Sequence, residues 1–122
     1  MTAKNLLYTI PVPSTSFTTE AHFDGKESAI IFCYERDRSI HRGMIKFRGI
    51  AAMRKRAERC CTAWHIEGAY DTLVEIAESD WLKEIRADTN LQWRDRWEMH
   101  HYMIYLDSVG CFEFIADSWA VT

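Results

Sequence analysis

A strand that runs directly into a capped helix sets the class of fold open to this chain. Tyr70, Thr72, Val74 and Ile76 alternate with Asp71, Leu73, Glu75 and Ala77. A period of two gives a strand with one apolar and one mixed face. Ser79 follows where a helix N-cap accepts a free backbone N–H, and Asp80 stands where the helix dipole favours an anion. Trp81, Leu82 and Ile85 make a short apolar stripe, so a helix is predicted over 79–87. Gly68 breaks the chain just upstream, and the whole stretch from Trp64 to Ile85 is dense in aromatic and acidic residues.

Further strands are expected on both sides. Residues 1–16, ending in Pro-Val-Pro-Ser-Thr-Ser, read as an extended lead-in anchored by Leu6, Leu7, Tyr8 and Ile10. Phe17 to Phe23 fits a strand, and Asp24-Gly25 a hairpin turn, because a type I′ turn needs the positive φ that Gly supplies. Ala29 to Glu35 is a buried strand, Arg36 to Ser39 turns the chain, and Met44 to Arg48 forms a strand bounded by Gly43 and Gly49. Ile50, Met53, Ala57, Cys60 and Trp64 follow helical spacing, so a helix is expected over 50–60. The alternative there is a strand with Arg54, Arg56 and Glu58 on its solvent face. The next residues, Cys-Cys-Thr-Ala-Trp-His-Ile, are strand-like. Thr89 to Glu98 fits a second short helix, with Trp93 and Trp97 four residues apart. Met99 to Leu106 and Cys111 to Trp119 form a hairpin across Asp107-Ser108-Val109-Gly110, with Phe112, Phe114 and Ala116 on one face and Cys111, Glu113, Ile115 and Asp117 on the other. The sum is an α+β chain: one globular domain over 1–122, a single mainly antiparallel sheet of about five to seven strands, and one to three short helices.

Bulk properties agree with such a domain. A chain of 122 residues, 48% hydrophobic and 27% charged, can bury one core and is not globally disordered. The longest apolar run, Ala29 to Tyr34, is too short to span a bilayer, and the N-terminal residues lack the apolar core of a secretory signal. Cys33, Cys60, Cys61 and Cys111 follow no disulfide-framework spacing, so reduced thiols and a cytoplasmic location are expected.

Charge is unevenly spread. Residues 36–59 hold nine Lys/Arg against two Asp/Glu, whereas residues 67–122 hold four against twelve; the chain as a whole is −3. Mutual neutralisation of the two halves is the simplest use of such asymmetry, and an acidic partner for the basic run is the next. Arg54, Arg56 and Arg59, with Trp64 beside them, are the candidate binding residues. Stacking aromatics are few near the basic run and the rest of the chain is acidic, which argues against nucleic acid.

Candidate chemistry centres on His65, Asp71 and Glu75. Asp71 and Glu75 would share one strand face, and Glu113 and Asp117 another. If those strands were neighbours, four carboxylates and His65 could supply an acid and a base. Cys60, Cys61 and His65 lack zinc-ligand spacing, so no metal is expected. Ser79 has no Gly-x-Ser-x-Gly elbow and is accounted for by its cap. The five Gly are scattered singly, without a phosphate loop, and no cofactor is expected. These residues lead to a non-enzymatic cytosolic interaction module, with a protein partner or self-association through the opposed charged segments and no membrane. A hydrolase- or isomerase-like enzyme with a carboxylate/His pocket is the first alternative, and a nucleic-acid-binding protein the second.

Overall fold

The computed structural model describes residues 3–11, 20–23, 27–94, 96 and 98–122. Along the chain lie β1 (Lys4–Thr9), β2 (Glu20–Phe23), β3 (Glu27–Arg36), β4 (Ser39–Arg48) and β5 (Ala52–Ala57). A 3₁₀ turn (Glu58–Cys60) leads to α1 (Ala63–Ile66), β6 (Thr72–Ile76), α2 (Asp80–Asp88), α3 (Leu91–Arg94), β7 (His100–Leu106), β8 (Gly110–Ala116) and β9 (Ser118–Val121). The fold is α+β, with antiparallel pairing between all named strands. The strands divide between two sheets instead of joining in one. Five form the order β1-β6-β7-β8-β5 and four the order β2-β3-β4-β9.

The two sheets face each other across one core. Ile30 and Phe32 of β3 and Ile45 and Phe47 of β4 meet Leu73, Tyr102, Ile104, Leu106, Phe112 and Phe114 of the larger sheet, all buried. The Phe47 and Phe114 rings stack across the interface at 4.1 Å. The far side of the larger sheet is covered as well. Val74, Ile76, Met103, Tyr105 and Cys111 cluster there with Ala69, against Cys61 and Ile66. Every position of β8 is therefore buried, whichever way its side chain points.

The chain changes sheets between β4 and β5 and again between β8 and β9, and these two crossings lie on each other. Asp117 donates its N–H to the carbonyls of Arg48 (2.9 Å) and Gly49 (3.2 Å). Gly49 has φ +63°, and a Cβ there would lie 2.8 Å from the Asp117 Cβ.

Several local expectations change. Segment 50–60 is strand β5 followed by the 3₁₀ turn, not a helix. Its helix-favouring residues are overridden by pairing with β8, in the register Ala52↔Ile115 to Ala57↔Gly110. The strand-like reading around Trp64 gives way to the one-turn α1, where Thr62 and His65 form a reciprocal capping box. Gly43 lies inside β4, not at its end, since its missing Cβ makes room for the Phe32 ring, which would stand 2.5 Å from it. The lead-in contains strand β1, paired with β6. The Arg36–Ser39 turn has positive φ at both Asp37 and Arg38, as a type I′ hairpin requires. The Asp24-Gly25 turn, Phe17 to Thr19 and Trp97 lie outside the described residues. None of the described helices is long and apolar enough to cross a membrane.

Candidate functional site

Strand alternation places two titratable groups under α2. On β7, Tyr102, Ile104 and Leu106 enter the inter-sheet core, so His101 points to the helix side. On β8, Phe112 and Phe114 do the same, so Glu113 points with it. The β7–β8 register pairs His101 with Ile115 and Met103 with Glu113, making His101 and Glu113 diagonal neighbours. His101 Nε2 lies 2.8 Å from Glu113 Oε1. On its other side, His101 Nδ1 is 2.6 Å from Ser79 Oγ. Arg54, from the adjacent β5, grips the same carboxylate through Nε to Oε2 (2.8 Å) and Nη2 to Oε1 (3.1 Å).

Four side chains thus form one line: Ser79, His101, Glu113, Arg54. Ser79, His101 and Glu113 are 4%, 2% and 4% exposed. Burial alone would raise the Glu113 pKa, but hydrogen bonds from His101 and Arg54, together with the Arg54 charge, hold it down at about 2. An ionised carboxylate only accepts, so His101 Nε2–H donates the hydrogen bond that Glu113 Oε1 accepts. In the neutral ring Nδ1 then accepts the Ser79 O–H. The Ser79 oxygen in turn accepts the Leu82 N–H at 3.0 Å, which caps α2. Trp81 roofs the line: its ring meets His101 edge-on at 5.1 Å, and the Arg54 guanidinium stacks on it at 4.0 Å.

The three candidate catalytic residues occupy three separate environments. His65 is buried in α1, its Nδ1 accepting the Thr62 N–H at 2.9 Å. Burial, then the Arg56 charge, lowers its pKa. Asp71 sits ahead of β6 in a turn at φ +48°, where its Oδ1 accepts the Asp107 N–H at 3.4 Å and burial raises its pKa. Glu75 lies on the opposite face from the relay and pairs with His100 at 2.9 Å. Among the described residues no hydrogen bond or ion pair joins any two of the three. Nor do the four carboxylates share a face. Asp71 precedes the strand, Asp117 occupies the exposed crossing after β8, and Glu113 is buried under α2. No group of three or more His, Cys, Asp or Glu is arranged to hold a metal among the described residues. The four cysteines are free thiols; burial, then the Glu113 charge, pushes Cys111 up to about 12.

The candidate binding residues lie closer together. Arg54 and Arg56 alternate with Lys55 along β5, which directs both to the helix side. There Arg56, Arg54 and Lys4 act electrostatically on His65. Arg56 donates to the Cys60 carbonyl at 3.2 Å, and Arg59 is exposed in the 3₁₀ turn. Trp64 is 39% exposed, with the Lys4 ammonium 4.6 Å from its ring centre. Lys4 also donates to the carbonyls of Trp64 and Glu67, at the C-terminal end of α1.

The Ser79–His101–Glu113 line was not among the sequence candidates, although the hairpin contained its signal. Counting back from the turn at Asp107–Gly110 sets His101 against Ile115, one diagonal step from Glu113. A cleft of about 410 Å³, lined by Ala51, Thr89, Trp93 and Met99 and not by Ser79, His101, Glu113 or Arg54, is almost wholly apolar.

Fold and site together define a two-sheet α+β protein with a buried Ser79–His101–Glu113 line, gripped by half-exposed Arg54 and covered by Trp81. No protein family, no curated protein and no solved structure matches the chain.

Proposed function

We propose that this chain is a protein-interaction module that receives an acidic partner on the helix side of its five-stranded sheet, through Arg54, Arg56, Arg59 and Trp64. The observation that carries the reading is a mismatch of charge. Among the described residues of the acidic half, Glu113 is the one carboxylate within ion-pair distance of a cation of 36–59, and that cation is Arg54. Neutralisation by the chain's own acidic half therefore has little support, and an external acidic group is the more economical counter-charge. Half-exposed Trp64 with the Lys4 ammonium over its ring supplies the aromatic–cation surface typical of interface anchors. The acidic segment of a second copy, including exposed Asp80, Glu84 and Asp88 of α2, is one form such a partner can take. Free thiols suit a cytosolic setting. His65, Asp71 and Glu75 engage three different sets of partners, which lends no support to a carboxylate/His pocket built on them.

Fluorescence anisotropy with labelled polyglutamate and with single-stranded DNA, together with sedimentation of the chain alone, tests the proposal. The expected result is polyglutamate binding at low salt, weakened about tenfold by the Arg56→Glu/Arg59→Glu pair, or reversible self-association weakened by the same pair. A monomer that binds neither ligand would overturn it. DNA binding tighter than polyglutamate, falling steeply with salt, would overturn it in favour of nucleic acid.

A further inference from the structure

We propose that Ser79 is an acyl-accepting nucleophile, with His101 as its base and Glu113 as the positioning residue that orients the base, acting on a small carboxylic ester. The inference goes beyond partner binding: Ser79, His101 and Glu113 take no part in that reading, and only Arg54 is common to both.

The helix cap explains why Ser79 accepts the Leu82 N–H. It does not explain what stands behind the serine. A cap needs only a hydroxyl, and α2 could be tethered to the sheet by apolar side chains without burying a carboxylate. Replacing buried charge networks by apolar groups is often neutral or stabilising. What the buried groups do provide is an order: hydroxyl, imidazole, carboxylate, guanidinium. The Ser79 Oγ to His101 Nδ1 and His101 Nε2 to Glu113 Oε1 distances are 2.6 and 2.8 Å. That is the nucleophile–base–orienter arrangement by which acyl-transfer sites are recognised on unrelated folds. The imidazole is used in the reverse sense, Nδ1 toward serine, which leaves the roles unchanged. Arg54 fixes Glu113 in turn through its two-point contact. The first-turn N–H groups of α2, at Asp80 and Trp81, have no acceptor within the helix and lie at its positive end. They are the donors a developing oxyanion beside Ser79 requires.

The chemistry balances with water as the only co-reactant. Ser79 Oγ bonds to the ester carbonyl carbon while its proton passes to His101 Nδ1. The carbon–alkoxide bond then breaks, and the same proton leaves with the alkoxide as the free alcohol. Water adds to the acyl-serine, giving its proton to Nδ1. Release of the carboxylic acid returns that proton to Ser79. Ser79 is 4% exposed and Trp81 with the stacked Arg54 covers the line, so an ester reaches Oγ only when those two side chains move, which restricts it to a small one. The Arg54 side chain is 50% exposed and is the most exposed member of the line.

The test is covalent labelling of the full-length chain with diisopropyl fluorophosphate, the adduct being located by peptide mass spectrometry. The expected result is one phosphoryl adduct, on Ser79, formed by the folded chain and not in urea. A His101→Ala chain that keeps its circular dichroism spectrum should label about a hundredfold more slowly or worse. Should that variant not fold, the comparison of folded and urea-treated wild type decides alone. No Ser79 adduct on the folded chain, or equal labelling in urea, would overturn the proposal. Neither outcome touches polyglutamate binding, so the two proposals fail separately.

Discussion

Neighbouring histidines on β7 have opposite circumstances because a strand sends adjacent side chains to opposite faces. His101 is locked in the relay, whereas His100 lies about one third exposed, with Glu75 at 2.9 Å, Glu98 at 3.5 Å and the Tyr102 ring stacked 5.7 Å away. Burial alone would lower the His100 pKa, but the hydrogen bond and charge of Glu75, with Glu98 behind it, raise it overall. A raised folded-state pKa makes a stabilising contribution that is full below the unfolded value of about 6.5 and is lost as pH rises through the folded value. Urea unfolding should therefore find His100→Gln less stable than wild type near pH 5 and close to it near pH 9. An equal deficit at both pH values would mean that His100 serves by packing alone. Neither contact could be read from residue types, because the sequence offered Glu75 as a partner for Asp71. The actual partner was set by β6–β7 pairing, Glu75↔Tyr102, a register that the intervening α2 and α3 conceal.

At the level of elements, most of what depended on local spacing was readable, the one-turn α1 excepted, and what depended on a distant partner was not. The Ser79 cap, a turn at Arg36–Ser39 and the β7–β8 hairpin follow from a few consecutive residues, although the positive φ at Asp37 and Arg38 does not. Nor does strand β5. Ala52 to Ala57 favours a helix until it is set against β8, roughly sixty residues away, where alternate residues exchange ladder hydrogen bonds with that strand. Gly43 is the same lesson at one position. It looked like the end of a strand, but it serves the Phe32 ring on the neighbouring strand, to which it is directly opposed. Gly43→Ala should therefore destabilise by about 1–3 kcal/mol through overpacking, although Ala is no worse than Gly in a strand. A Gly43→Ala/Phe32→Leu double variant should recover part of that loss relative to the sum of the single changes, measured as a double-mutant cycle in urea. Strict additivity would show that the Phe32 ring is not what limits this position.

For the molecule as a whole, the expected single sheet became two because nothing in the alternation pattern tells a strand which sheet it joins. The two crossings decide that, and one of them is only Asp117 wide. The sequence treated Cys111 to Trp119 as one strand, whereas the chain leaves the larger sheet at Ala116 and enters the smaller at Ser118. Beyond that bend, β9 pairs Phe47 with Trp119 and Ile45 with Val121, and Thr122 exchanges backbone hydrogen bonds with Met44. Trp119 also packs on the inter-sheet core, 6.4 Å from the Tyr8 ring of β1, so it links the two sheets. Removing Ser118 to Thr122 takes away that side chain and uncovers the Met44–Arg48 half of β4 as an unprotected edge. Loss of the tryptophan alone should cost about 3 kcal/mol or more. The open edge should drive concentration-dependent association of the shortened chain. Trp119→Ala in the full-length chain separates the two effects, because it removes the ring and keeps the strand. It should lose stability while sedimenting as the unaltered chain does. If the shortened chain instead unfolds at the wild-type urea midpoint and sediments unchanged, β9 is not what closes the smaller sheet.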